Sequence, residues 1–388
     1  MGRKIKLVAG LAALAIIGGL AALPGIVESQ FNGLTGAPLP AVSAKAAALH
    51  KTLQIADMHA DTLLWGRDIL HRSSRGHVDL PRLEEGNVAL QVFSSVTKSP
   101  KGLNYHANSD KTDSITLLTV AALQPPRTWS SLIERSLWHA ERLRRAEQNS
   151  DGRLRIVRTG PDVARLLADR AAGKRVTGAM LSVEGMHDLE GNIANLQRLY
   201  DAGFRMAGIA HFFDNQLGGS KHGMNKGGLT PFGRQVVAEM ERRRMIVDVA
   251  HSSDRTLDDV LAMATRPVVY SHGGVRATCP NDRTLSDDQL RRIAANGGLI
   301  GIGYWDAAVC TLTPDSIAAA IAHARNVAGI DHVALGSDFD GATITPFDAS
   351  QLVQVTNALL KRGFTPDEVR KVMGGNTLAF LERQLPQR

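Results

Sequence analysis

From Thr52 onward the chain repeats one pattern: a short β-branched or apolar run, a polar turn, then a longer stretch of helical periodicity. Eight such runs can be counted, at residues 54–58, 89–93, 178–182, 206–210, 245–249, 267–270, 299–303 and 332–336. Strands alternating with helices build parallel βα units, and eight units close a (β/α)8 TIM barrel. Start signals support the register: Thr230-Pro231 supplies an N-cap with a helical Pro, and Ser286 to Gln289 and Thr365 to Glu368 are capping boxes. Gly297 falls where a C-terminal cap is expected. The runs cross the globular part without a break, which favours one domain in a chain of 388 residues.

One stretch departs from the repeat. Residues 98–175 hold extra helical segments, near 132–145 and 161–172, and read as an insertion after strand 2 that partly covers the barrel mouth. Ahead of the barrel, Arg3, Lys4 and Lys6 precede an uncharged run from Leu7 to Val27 closed by Glu28, the layout of a secretory signal or a single membrane anchor. No small-x-small cleavage site stands beside it, which favours an anchor, and the positive end would hold the rest of the chain on the outer, periplasmic or extracytoplasmic side. The expected division is therefore 1–28 signal or anchor, 29–50 linker and short helix, and 51–388 the (β/α)8 barrel. The formal charge of +7 comes from basic residues interleaved with acids, which reads as solvated helix faces and not as a nucleic-acid surface.

The polar residues fall where this fold carries chemistry, at the C-terminal ends of the strands. Strand 1 ends in Met58-His59-Ala60-Asp61, strand 3 in Val183-Glu184-Gly185, strand 4 in Ala210-His211, strand 5 in Ala250-His251, strand 6 in Ser271-His272 and strand 8 in Ser337-Asp338. His59 and Asp61, two apart on an extended strand, share a face and can grip one ion. His251 and His272, from adjacent strands, can hold a second. Glu184 lies on a strand between the two groups, where a carboxylate can bridge two cations. Each residue alone reads as a satisfied rim or core group; together they read as a metal site. The other histidines, His222 among them, read as structural, and His187 is unassigned.

With nitrogen and oxygen ligands only, zinc leads, with manganese, iron or cobalt open. Two ions would share a water, lower its pKa to give a hydroxide nucleophile, and polarise a carbonyl. Asp338 is then free to accept the proton, and His211 to donate to the oxyanion. Arg283, past His272, can take a substrate carboxylate; an exposed loop charge is the competing reading. Cys279 and Cys310, after strands 6 and 7, are expected to be bridged if the chain is exported.

These segments, in order, resemble the membrane dipeptidase (renal dipeptidase) family of the amidohydrolase superfamily, as do Gly228-Leu229-Thr230-Pro231-Phe232-Gly233 and Gly374-Gly375-Asn376. The resemblance spans residues 54–381. It implies a zinc dipeptidase in which His59, Asp61 and Glu184 hold one ion and Glu184, His251 and His272 the other, with His211 at the scissile carbonyl, Arg283 on the substrate carboxylate and Asp338 at the water. It also implies dipeptide substrates, often with a C-terminal D-residue, and for some members β-lactams. Departures surround the pocket: Thr284 after Arg283, Gly273-Gly274 after His272, and the strand 7 exit Tyr304-Trp305-Asp306. The sequence leaves a homodimer open. Two other readings compete. One is an amidohydrolase acting on a cyclic amide, a β-lactam or an N-acyl amino acid, and the other is a catalytically silent, surface-anchored binding protein. Against the first, strand 4 ends in His211 without the Lys that often bridges such metals; against the second, none of the five ligands is missing.

Overall fold

A computed structural model describes Gly19 and residues 22–388, so most of the apolar run lies outside the described residues. The eight expected strands are present: β1 (Ile55–Ala60), β2 (Val88–Ser95), β3 (Thr177–Val183), β4 (Phe204–Gly208), β5 (Ile246–Asp248), β6 (Val269–Tyr270), β7 (Leu299–Ile302) and β8 (Val333–Leu335). All pair in parallel around a ring, and β2 closes it on β3 from Leu90↔Gly178 to Ser95↔Val183. Every residue of β1 to β4 is buried. Strands enclosed on both faces explain why the sequence shows apolar runs and not an alternating pattern. The helices start where their caps predict, with Thr230 capping Pro231–Arg242 and reciprocal capping boxes at Ser286/Gln289 and Thr365/Glu368.

The stretch after β2 is only partly an insertion over the mouth. Leu154–Ile156 adds a ninth strand to the first residues of β3, ahead of the part that β4 pairs with. Leu132–Gln148 lies against the end of β2, with His139 Nδ1 2.8 Å from Ser95 Oγ, and Gly160–Ala171 packs beside the C-terminal helix Asn376–Gln384. The segment that reaches over the mouth is residues 98–110. Helical periodicity alone does not separate a helix flanking the barrel from one inserted above it.

The residues before the barrel are fastened to it. Gly33–Leu34 pairs with Ile344–Thr345 beyond β8, and the helix Ala44–His50 is capped by Ser43 and packs on Val353–Lys361. Glu28 is buried, accepting from Arg67 Nε at 2.5 Å and Arg75 Nε at 2.6 Å. Arg67 also pairs with Asp340, which takes Thr62 Oγ1 at 2.7 Å and the His77 N–H at 2.6 Å. No helix among the described residues is long and apolar enough to cross a membrane.

Cys279 and Cys310 are disulfide-bonded with their Cα atoms 5.3 Å apart, joining the loops after β6 and β7 as expected. Removing one partner of a buried ion network leaves the others uncompensated. Arg67→Leu, which strips Glu28 and Asp340 of their shared cation, is expected to cost about 3 kcal/mol in denaturant unfolding.

Candidate metal centre and active site

Glu184 leaves β3 on a sharp turn. Gly185 has φ 80°, and a Cβ there would stand 2.8 Å from His211 Cβ, so glycine both permits the turn and lets His211 approach. The turn aims the two Glu184 oxygens in different directions. Oε1 lies 2.8 Å from His251 Nε2 and 3.1 Å from His272 Nε2, and those nitrogens are 3.1 Å apart. Oε2 lies 3.6 Å from His59 Nε2 and 3.5 Å from His211 Nε2, while His59 Nε2 is 3.4 Å from Asp61 Oδ1. Ligand atoms about 2.0–2.2 Å from one tetrahedral ion stand about 3.3 Å from each other, close to both sets of spacings.

His59 Nε2 and Asp61 Oδ1 are buried without a hydrogen-bond partner among the described residues. Unpaired buried polar atoms facing one another are costly unless something binds them, so the donor set fits a cation. The electrostatics divide: burial opposes a charge on His59, but Glu184 and Asp61 beside it raise its imidazole well above the usual range. Burial opposes the charge on Glu184, but His211 and His59 beside it and hydrogen bonds from His251 and His272 hold its carboxyl well below the usual range. Burial raises Asp61 to about 7, with the Glu184 charge adding to the shift. Burial keeps His251 and His272 neutral, Arg283 acting in the same direction on both, as metal ligation requires.

Ligand orientation is set from behind. Ser271 Oγ is 2.8 Å from His272 Nδ1 and donates to Asp248 Oδ2 at 2.5 Å. Asp248 also stands within ligand range of His59 and His272, but its oxygens are taken by Ser271 and by the Ala250 N–H, which makes it a support for the imidazole. Asp57 plays the matching part between β1 and β8, accepting from Ser337 N at 2.7 Å, Ser337 Oγ at 2.6 Å and Gln91 Nε2 at 2.7 Å. His251 and Asp338 have φ 58° and 60°, in the left-handed region that costs a side-chain-bearing residue about 1 kcal/mol or more. Such strain clusters at functional sites.

Of the remaining predicted residues, Asp338 Oδ1 is 3.9 Å from His59 Nε2, and burial pushes its carboxyl well up, Asp61 and Glu184 adding to this against His59. His211 groups with Glu184 and His251 within ligand range. Arg283 is 1% exposed, which removes the reading as an exposed loop charge, and its Nη2 is 3.0 Å from His251 Nε2. His187 bonds Thr97 Oγ1 at 2.9 Å and packs on Phe213.

Four residues of the surroundings had no role assigned from the sequence. Tyr270 donates to the Arg283 carbonyl at 2.7 Å and stands 3.3 Å from its Nη1. Gly273 makes room for that hydroxyl, since a Cβ there would lie 2.1 Å from it. Trp305, from the exit of β7, stacks under the guanidinium at 5.4 Å. His222, read as structural, lies 5.5 Å ring to ring from His251 and bonds the Tyr105 carbonyl through Nδ1 at 2.8 Å. Tyr105 arrives from the segment after β2. Of these only Tyr270, two residues before His272, had a local signal; the others depend on how loops meet.

A parallel barrel whose strand ends converge buried imidazoles and carboxylates on paired ligand sets is a metal-dependent hydrolase. Residues 43–385 match the family described as membrane dipeptidase (Peptidase family M19), and the chain belongs to that family. It is a metallo-dipeptidase. A dipeptidase of Claviceps purpurea, tcpJ, is 30% identical over 318 residues, 79% of this chain and 69% of that protein. A dipeptidase of Aspergillus oryzae, aclJ, is 28% identical over 360 residues, 84% of this chain and 77% of that one. Among solved structures, a metallopeptidase from Rhodobacter sphaeroides liganded with a phosphinate mimic of the dipeptide L-Ala-D-Ala superposes with TM-score 0.69 at 25% identity, covering 86% of this chain and 99% of that one. The probable dipeptidase PvdM from Pseudomonas aeruginosa shares the fold, with TM-score 0.73 at 19% identity, covering 87% of this chain and 97% of that one.

Because Glu184 turns one oxygen to each group of candidate ligands, Glu184→Gln is expected to disturb both groups together. Elemental analysis should find two ions per reconstituted wild-type chain and fewer than one in the variant. A variant that keeps one full equivalent would show that the sets are independent.

Proposed function

We propose that this metallo-dipeptidase is a binuclear zinc enzyme that cleaves dipeptides bearing a free C-terminal carboxylate and accepts a D-residue at that position. The observation that carries the reading is the division of Glu184, one oxygen toward His251 and His272 and the other toward His59 and, through it, Asp61. Donors limited to imidazole and carboxylate support zinc over softer or harder ions. The D-residue is supported by the L-Ala-D-Ala mimic bound to the Rhodobacter sphaeroides neighbour.

Ions held there would supply Lewis acidity, acidifying a shared water and polarising the scissile carbonyl. The chain's own groups do the rest. Asp338, with a carboxyl whose proton affinity burial enhances, takes the proton from the attacking water and returns it to the amine as the C–N bond breaks. His211 donates to the carbonyl oxygen as negative charge develops on it. Arg283, held by Tyr270 and stacked on Trp305, offers its fork to the substrate carboxylate and so fixes the carbonyl relative to Asp338. The bonded pair Cys279–Cys310 and the N-terminal apolar run together support an exported enzyme, anchored or secreted.

Asp338→Asn is expected to keep its ions and lose turnover by about 100-fold or more, because it removes a proton acceptor and no ligand. His211→Ala should likewise keep both ions, and loss of one in either variant would move that residue into the ligand set. Arg283→Lys keeps the charge without the fork and should lower kcat/KM about as much as Arg283→Ala. Steady-state kinetics on alanyl-alanine, its C-terminal amide and trialanine test the substrate reading. Comparable efficiency on all three would overturn it.

A further inference from the structure

The segment after β2 brings one aromatic side chain to the site from across the barrel. Tyr105 is backed by the rings of His222 at 5.5 Å and Phe212 at 5.7 Å, and both of those rings lie against His251, at 5.5 and 5.0 Å. On the far side of the mouth Trp305 Nε1 donates to the Tyr105 hydroxyl at 3.2 Å, and the same indole stacks under Arg283. The phenol is thus suspended between the β4 exit, which carries His222, and the β7 exit, which carries Trp305.

The suspension is tied at further points. Asn108 donates to the His222 carbonyl through N at 2.8 Å and Nδ2 at 3.0 Å, and His106 Nδ1 lies 3.6 Å from Asp282 Oδ2, one residue before Arg283. Loops from three strands therefore meet at one tyrosine, and the loop after β6 reaches its neighbour His106. The Tyr105 hydroxyl accepts from Trp305 and has no other hydrogen-bond partner among the described residues, and the indole that holds it is the same one that stacks under the guanidinium assigned to a carboxylate in the proposed reading. A phenol O–H beside an arginine fork completes a three-donor set for a carboxylate. A ring held across the mouth between Trp305 and His222 would stand in the way of a peptide that continued beyond its second residue.

Resting on that reading of Arg283, we propose that Tyr105 is a specificity-determining residue: its hydroxyl donates to the substrate carboxylate that Arg283 binds, and its ring refuses a chain that continues past it. The two roles separate by substitution. Tyr105→Phe keeps the ring and loses the donor, so KM for alanyl-alanine should rise about tenfold with kcat nearly unchanged, and trialanine should still be refused. Tyr105→Ala loses both, so KM should rise similarly and trialanine should become a substrate. Tyr105 is 36% exposed, so both variants should fold, and matching thermal melts would confirm it. An unchanged KM in Tyr105→Phe, or refusal of trialanine by Tyr105→Ala, overturns the proposal. A wild-type enzyme as fast on alanyl-alanine amide as on the free acid refutes the Arg283 reading itself, and the proposal with it.

Discussion

Glu184 is the point on which the molecule turns. A carboxylate buried at the barrel mouth would be driven to neutrality by its surroundings, yet the imidazoles of His59, His211, His251 and His272 stand around its two oxygens and keep it charged. That arrangement needs strand ends β1, β3, β4, β5 and β6 to arrive at one place within a few tenths of an ångström. A closed parallel barrel delivers this because its register is locked around the whole ring.

Behind the ligands lies a second set of carboxylates whose work is mechanical. Asp57 ties β1 to β8, Asp248 holds Ser271 and through it His272, and Asp340 gathers Thr62, His77 and Arg67 next to the candidate ligand Asp61. Each is buried and fully bonded, so each constrains the rotamer of a neighbouring functional group. The N-terminal segment enters the same framework through Glu28, which makes the residues ahead of the barrel part of the support of the site.

The mouth is assembled differently. Its groups come from loops, and the loops are held by cross-ties: the Cys279–Cys310 bridge on either side of Arg283 and Trp305, the Tyr270 hydroxyl under Arg283, and the Tyr105 to Trp305 contact. The candidate ion-binding groups sit on strand ends and Arg283, Trp305 and Tyr105 on loops, an arrangement that lets the two sets vary separately.

The sequence by itself determined the barrel and the convergence of the candidate ligands, because each leaves a local mark: eight buried runs at strand length, and His-x-Asp, Glu, His and His at their C-terminal ends. Periodicity and end position are properties of neighbouring residues, so they survive in one dimension. The ninth strand at Leu154–Ile156 was hidden, since three residues carry no period and helices surround them. Burial of Arg283 and the parts of His222, Trp305 and Tyr105 were decided only by tertiary structure. Each depends on contacts between loops from different strands, more than a hundred residues apart for Tyr105 and His222 and two hundred for Tyr105 and Trp305, and no local pattern encodes where such loops meet.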